Sequence, residues 1–276
     1  MPKQPVSPTG DCSPAGATSD PPADWASAPP LGEGAPTTGL PAIAVPTVGV
    51  GLVGLGSVLI ALLHVLPPSN QVDPMTRTLS QYALGGNGWM FDLGVLALAV
   101  GSVAILAGLV RAGVVRALSG ATVFVALWSG ALAVLVFFQK YDFANGEHTG
   151  ASGMIHRMAS LVAFLSLPLA AMLTVRYAGR RNPGWRRPAA WTRWATVASW
   201  ACLSLLLYAI AQSFFTDITW WRLFPLGALE RLIALSEILA VLALGNWARK
   251  ASDGPAGSAA LADPVGDGAS GAALVQ

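Results

Sequence analysis

The feature that most constrains this chain is the sorting of its charges around six apolar segments. Arg111 and Arg116, then Arg176, Arg180, Arg181, Arg186, Arg187 and Arg193, then Arg249 and Lys250, fall in alternate connections with no acid among them. The other connections and their helix ends hold Asp73, Asp92, Asp142, Glu147, Asp217, Glu230 and Glu237, together with His64, His148 and His156. Loops kept in the cytoplasm are enriched in Lys and Arg, so this alternation reads as a membrane topology. Arg77, Lys140 and Arg222, each with an acid nearby, are the bases of the first, third and fifth connections, which are expected to face outward. Both termini then lie inside. The Ala, Gly, Pro and Arg bias fits a GC-rich bacterial genome, so the expected location is a bacterial inner (plasma) membrane.

Composition agrees, since 54% of residues are hydrophobic and 11% charged. Mean hydropathy is +0.57. Six stretches reach the roughly 20 residues that a hydrocarbon layer requires. They run about 47–66, 89–110, 117–138, 153–175, 194–215 and 225–247. In lipid each must pair its own backbone groups, which makes it a helix. The expected fold class is all-α: a polytopic six-transmembrane-helix bundle over 47–248. Residues 1–46 and 249–276 are rich in small and polar residues and are expected to be disordered cytoplasmic tails. Trp89, Trp191, Trp194, Trp220, Trp221 and Trp247 fall near span ends, where an indole keeps its N–H in water at the headgroup level.

The concentrated bases point to anionic lipid as a partner of the arginine-rich connection, and not to nucleic acid. Cys12 and Cys202 are too few for a disulfide framework or a thiolate metal site. Gly49, Gly51, Gly54 and Gly56 in the first span, and Gly94, Gly101 and Gly108 at sevens in the second, are expected to let helices approach closely.

The outward side carries the chemistry-bearing residues. The first outer loop, PPSNQVDPMTRTLSQYALGGNG, holds too many apolar and aromatic residues for a solvated linker. Asp73-Pro74 starts a turn, Thr78 or Ser80 caps a short helix, and Leu79, Tyr82 and Leu84 give it an apolar edge, so the loop is expected to fold back as a lid. His148, Ser152 and His156 are spaced by fours and share one side of a helix if the fourth begins early. His64, His148 and His156 with Asp142 make a zinc candidate, and His64 with His156 a bis-histidine haem candidate; no cofactor is predicted. Glu237 stands about 18 Å beyond Pro225, at ~1.5 Å per residue, near the bilayer midplane. A carboxylate there costs on the order of 3 kcal/mol unless it is paired, wet or protonated. Arg157 and Arg231 are the expected partners of Glu237 and Glu230, and Arg77 and Tyr82 complete a ligand or proton pathway.

Asp73-Pro74, Arg77, Leu79 through Gly85 and Gly88-Trp89, with Gly153, His156 and Gly227-Ala228-Leu229-Glu230-Arg231, resemble the pattern of the multi-pass membrane proteins grouped as domain of unknown function 998. The resemblance covers about 47–248 and implies a six-helix membrane protein without a defined activity.

No phosphate-binding glycine loop, GxSxG elbow or CxxCH haem attachment occurs. The leading expectation is an outward-facing polar pocket that binds or moves a small or lipidic ligand. One alternative is a membrane-embedded hydrolase or transferase, with His156 as base and Asp142 or Asp92 to orient it. Another is a structural or assembly subunit whose polar face docks a membrane protein partner.

Overall fold

The computed structural model describes residues 43–140, 150–180, 182–216 and 224–253. Among the described residues the chain is all-helical. Six long helices run in order: α1 (Ala44–Leu62), α2 (Gly88–Arg111), α3 (Gly120–Phe137), α4 (Ala151–Ala178), α5 (Arg186–Gln212) and α6 (Leu226–Ser252). Short 3-10 turns sit at Ser69–Gln71 and Leu79–Leu84 in the first connection and at Pro183–Trp185 before α5. Five helices, α1 to α5, are long and apolar enough to cross a membrane. Helix α6 carries Glu230, Arg231 and Glu237 within its first half.

Local chemistry sets the helix ends. Arg111 lies in the last turn of α2, where a cation faces the negative end of the helix dipole. Gly113 then takes a left-handed φ of 68°, and the Val114 N–H reaches back to the Leu109 carbonyl, which stops the helix. Helix α3 starts at Ser119, whose hydroxyl accepts from the Thr122 N–H at 3.4 Å. Helix α5 begins at Arg186, ahead of the span expected from about 194, so Arg186, Arg187 and Arg193 belong to its first turns. All three are exposed, and their long stems let the guanidinium heads stay in water while the backbone is already helical.

Each helix packs against the next in sequence, and α6 closes the bundle by packing on α1, α2 and α4 as well as α5. The α1–α2 seam is the tightest part, and it is antiparallel. A Cβ built on Gly49 would lie 2.7 Å from the Gly101 carbonyl oxygen, and one on Gly101 would lie 2.7 Å from that of Gly49. Gly56 and Gly94 face each other one heptad along, and Gly108 packs on Pro46. Only half of the glycine expectation for α1 holds: Gly51 and Gly54 meet nothing within 4 Å. The heptad repeat of α2 selects Gly49 and Gly56, which share one face, and leaves the two glycines between them on another.

Trp89, Trp191 and Trp194 are exposed near helix ends, as headgroup-level indoles should be. Trp247 departs from that expectation. It is fully buried, stacks edge-on against Trp185 with ring centroids 6.1 Å apart, and among the described residues its N–H has no partner. Helix α6 runs on to Ser252, so Trp247 lies a full turn inside its end and serves as core.

Candidate ligand cavity under the first loop

The first connection folds back on the bundle, and one arginine of α6 holds it there. Asp73 opens an Asx turn, accepting from the Met75 N–H at 3.0 Å and the Thr76 hydroxyl at 2.5 Å. The Thr76 hydroxyl and then the Met75 N–H hold its carboxyl below the usual carboxylate range. The turn presents its carbonyls to α6: Arg231 Nη1 donates to the carbonyls of Pro74 (2.9 Å), Arg77 (2.7 Å) and its own helix's Gly227 (2.9 Å). Arg231 Nε donates to His64 Nε2 at 2.9 Å, and Nη2 to the Tyr82 hydroxyl at 3.3 Å. The Ala228 N–H adds a bond to the Met75 carbonyl at 3.2 Å. Gly227 is required here, because a Cβ would collide with the backbone of Pro74 and Arg77.

Tyr82, in the Leu79–Leu84 turn, is buried and packs its ring 5.1 Å from that of His64. His64 Nδ1 lies 3.1 Å from the Ile60 carbonyl, so with Nε2 accepting from Arg231 the ring is the Nδ1–H tautomer and both nitrogens are engaged. Thr78 precedes that turn without a side-chain capping bond. Its hydroxyl instead accepts from Lys140 Nζ at 2.6 Å and meets the Ser80 hydroxyl at 3.2 Å. Glu230 Oε2 accepts from the Leu79 N–H at 2.9 Å, a carboxylate capping the turn that lies over it.

Beneath this loop lies a cavity with about 90 Å³ of space for water-sized molecules, enough for several. Ser80, His156, Ser160, Glu230 and Glu237 give it polar points, and Trp128, Phe91 and Phe164 give it aromatic walls. Aliphatic side chains from α1, α2, α3, α4, α6 and the first loop line the rest. Glu237 is 4% exposed, and among the described residues its Oε1 has no hydrogen-bond partner. The Trp128 indole interacts with the Glu237 carboxyl, yet its N–H also closes no hydrogen bond of good geometry.

His156 is likewise buried. Its Nδ1 lies 2.8 Å from the Phe138 carbonyl just past the end of α3, while the Ser152 hydroxyl donates to the Gln139 carbonyl at 2.9 Å. Helix α4 starts at Ala151, early enough to put Ser152 and His156 one turn apart, and the pair satisfies carbonyls that α3 leaves orphaned at its C-terminus. With Nδ1 donating, the ring keeps Nε2 as an acceptor.

The expected pairings turn out differently. Arg231 binds the loop's carbonyls, acts on Glu230 through its charge alone, and is not the hydrogen-bond partner of Glu237. Arg157 and the Arg77 side chain are exposed. Asp92, in α2, is half-buried with Oδ1 unpartnered among the described residues, and the Nδ1 partner of His156 is a carbonyl in place of an orienting carboxylate. Asp142 and His148 lie outside the described residues. Among those described, no three His, Cys, Asp or Glu side chains gather as metal ligands. Trp128, Ser160 and the Lys140–Thr78 contact were not singled out from sequence. Trp128 left a signal there: it stands mid-span, where an interfacial role does not account for an indole.

The fold and the cavity define an all-helical membrane protein whose first loop is latched over an acid-bearing internal cavity. The family model described as Protein of unknown function (DUF998) matches residues 49–247, and the chain belongs to that family. No curated protein and no solved structure matches the chain.

Proposed function

We propose that this is a six-helix protein of a bacterial plasma membrane, with both termini cytoplasmic, whose outward-facing cavity binds or carries a small or lipidic ligand. The observation that carries the reading is Glu237: a buried carboxyl with an unpartnered oxygen, on the wall of a cavity that has room for guest atoms. Buried polar groups are ordinarily satisfied, and those that are not mark functional sites or unseen ligands. The sixth crossing rests on how α6 sorts its side chains. Leu232, Leu235 and Leu239 are exposed on one face, suited to lipid, while Ile233, Glu237, Ala240, Val241 and Leu244 are buried on the other. Its acids therefore lower its mean hydropathy without meeting hydrocarbon. The loop latched by Arg231 is the cover of the cavity, and the exposed Arg176, Arg180, Arg186, Arg187 and Arg193 suit the anionic inner leaflet.

The test is to identify by mass spectrometry the molecules retained through purification in mild detergent by the wild-type protein, and by the variants Ala234→Phe and Glu237→Gln. Ala234 lines the cavity, so a phenylalanine there fills it. A retained molecule lost from both variants is the expected result. Identical sets in all three proteins defeat the reading.

A further inference from the structure

The charges around the cavity assign the class of its ligand, an inference that rests on the proposed ligand-binding role. Among the described residues no arginine or lysine lines the cavity, and the ionisable residues on its wall are Glu230, Glu237 and His156. The hydrogen bonds of the cations nearest the cavity are directed elsewhere. Arg231 spends its donors on the loop's carbonyls, His64 and Tyr82, and Lys140 donates to Thr78. Arg77 and Arg157 are exposed.

The two glutamates are not equivalent. Glu230, at the outer end, accepts the Leu79 N–H and feels the charges of Lys140 and Arg231. Glu237, deeper in the helix, has no cation acting on it among the described residues, and its Oε1 is unpartnered. His156 lies on the cavity wall with Nδ1 committed to the Phe138 carbonyl. An anion would find the Trp128 N–H as an unpartnered donor but, among the described residues, no positively charged group on the cavity wall, so its buried charge would stay uncompensated beside two glutamates. A metal cation such as sodium would need several oxygens, and the wall is mostly apolar. An organic ammonium satisfies both constraints. Its charge pairs with Glu237, its N-alkyl groups lie against the faces of Trp128, Phe91 and Phe164, and its apolar body fits among Val95, Leu98 and Leu132.

We therefore propose that the cavity binds an organic ammonium ion with an apolar body, with Glu237 as its counter-ion and Trp128 as its aromatic wall. The ammonium group belongs either to a free amine or to an amine-bearing lipid headgroup.

The proposal is tested with the full chain in phosphatidylglycerol nanodiscs, which contain no ammonium group. Three probes small enough for a cavity of about 90 Å³ are titrated by calorimetry: dimethylammonium, its neutral isostere propane, and methanesulfonate. The ammonium should bind wild type, weaken by at least about tenfold in Glu237→Gln, and be retained in Glu237→Asp, while the sulfonate fails to bind. Adding phosphatidylethanolamine to the nanodisc separates the sources: competition with the probe identifies a lipid headgroup, and its absence a free amine. Equal binding of the neutral and cationic probes to wild type, both lost in Ala234→Phe, overturns the charge assignment and leaves the cavity a ligand site. Sulfonate binding that Ala234→Phe abolishes overturns the charge assignment in the same way. If none of the probes distinguishes wild type from Ala234→Phe, both the charge assignment and the ligand-binding role fall.

Discussion

Arg231 is the residue on which the first loop depends. Its guanidinium forks across two loop carbonyls, a carbonyl of its own helix, an imidazole and a phenol, with its Cζ 5.7 Å from the centre of the Tyr82 ring. Lysine presents a single compact ammonium and cannot reproduce that fork. Arg231→Lys should therefore free the loop: at roughly 3 kcal/mol for the charged hydrogen bonds lost, the open fraction rises about a hundredfold. Hydrogen exchange at the Leu79 and Ala228 amides reads this directly, because both are bonded across the loop–α6 contact. Unchanged protection of both would show that the loop is held by packing around Tyr82 instead. The arginine's position was legible in the sequence, but its task was not. A guanidinium in an acid-bearing segment reads as an ion-pair partner, whereas capture of backbone carbonyls depends on how the chain at Pro74 and Arg77 turns, and side-chain patterns do not encode that. Glu237 was legible for a simple reason. A carboxyl in the middle of an apolar run demands an explanation wherever the helix lies.

At the scale of elements, the glycine seam between α1 and α2 makes a differential prediction. Gly101→Ala places a Cβ 2.7 Å from the Gly49 oxygen and 3.0 Å from the Val53 nitrogen, both backbone atoms that no rotamer change can move aside. The helices must separate, at a cost of about 1–3 kcal/mol. Gly54→Ala, on the same pair of helices, meets nothing within 4 Å and should be neutral or stabilising by up to ~1 kcal/mol through helix propensity. Thermal unfolding in detergent, followed by circular dichroism, should rank Gly54→Ala at or above wild type and Gly101→Ala below it. Equal midpoints for the two variants would mean that the seam is plastic. The repeat of sevens in α2 marked its packing face in advance, because period seven returns to one side of a helix. Helix α1 offered glycines on two faces, and only the partner helix decides between them. His156 shows the same limit: its spacing from Ser152 was readable, but that both would serve the orphaned carbonyls of α3 depends on where α3 ends.

For the whole molecule, the decisive question is whether α6 crosses the membrane. By hydropathy and charge along the chain α1 to α5 qualify as spans and α6 does not, because its most apolar stretch holds Glu230, Arg231 and Glu237; a tally along the sequence ignores which way those side chains face. Helix α6 is 27 residues long, about 40 Å at ~1.5 Å per residue, which exceeds a hydrocarbon layer. It packs on four other helices, and Glu237 and Trp247 are turned into the bundle. An interfacial helix would show the reverse, with its acids toward water and its leucines inward. Six crossings return the chain to its starting side, whereas five with α6 on the surface leave the two ends on opposite sides. Cys12 and a cysteine introduced as Asp253→Cys, each as the single thiol in a Cys202→Ala background, separate these outcomes. In right-side-out membrane vesicles, a membrane-impermeant maleimide should leave both unlabelled until the vesicles are opened, while a cysteine introduced as Met75→Cys in the latched loop reacts at once. Labelling of residue 253 in sealed vesicles would put α6 on the outer surface. The cavity would then lie at an interface instead of inside a bundle, and Glu237 would no longer need a ligand to account for its burial.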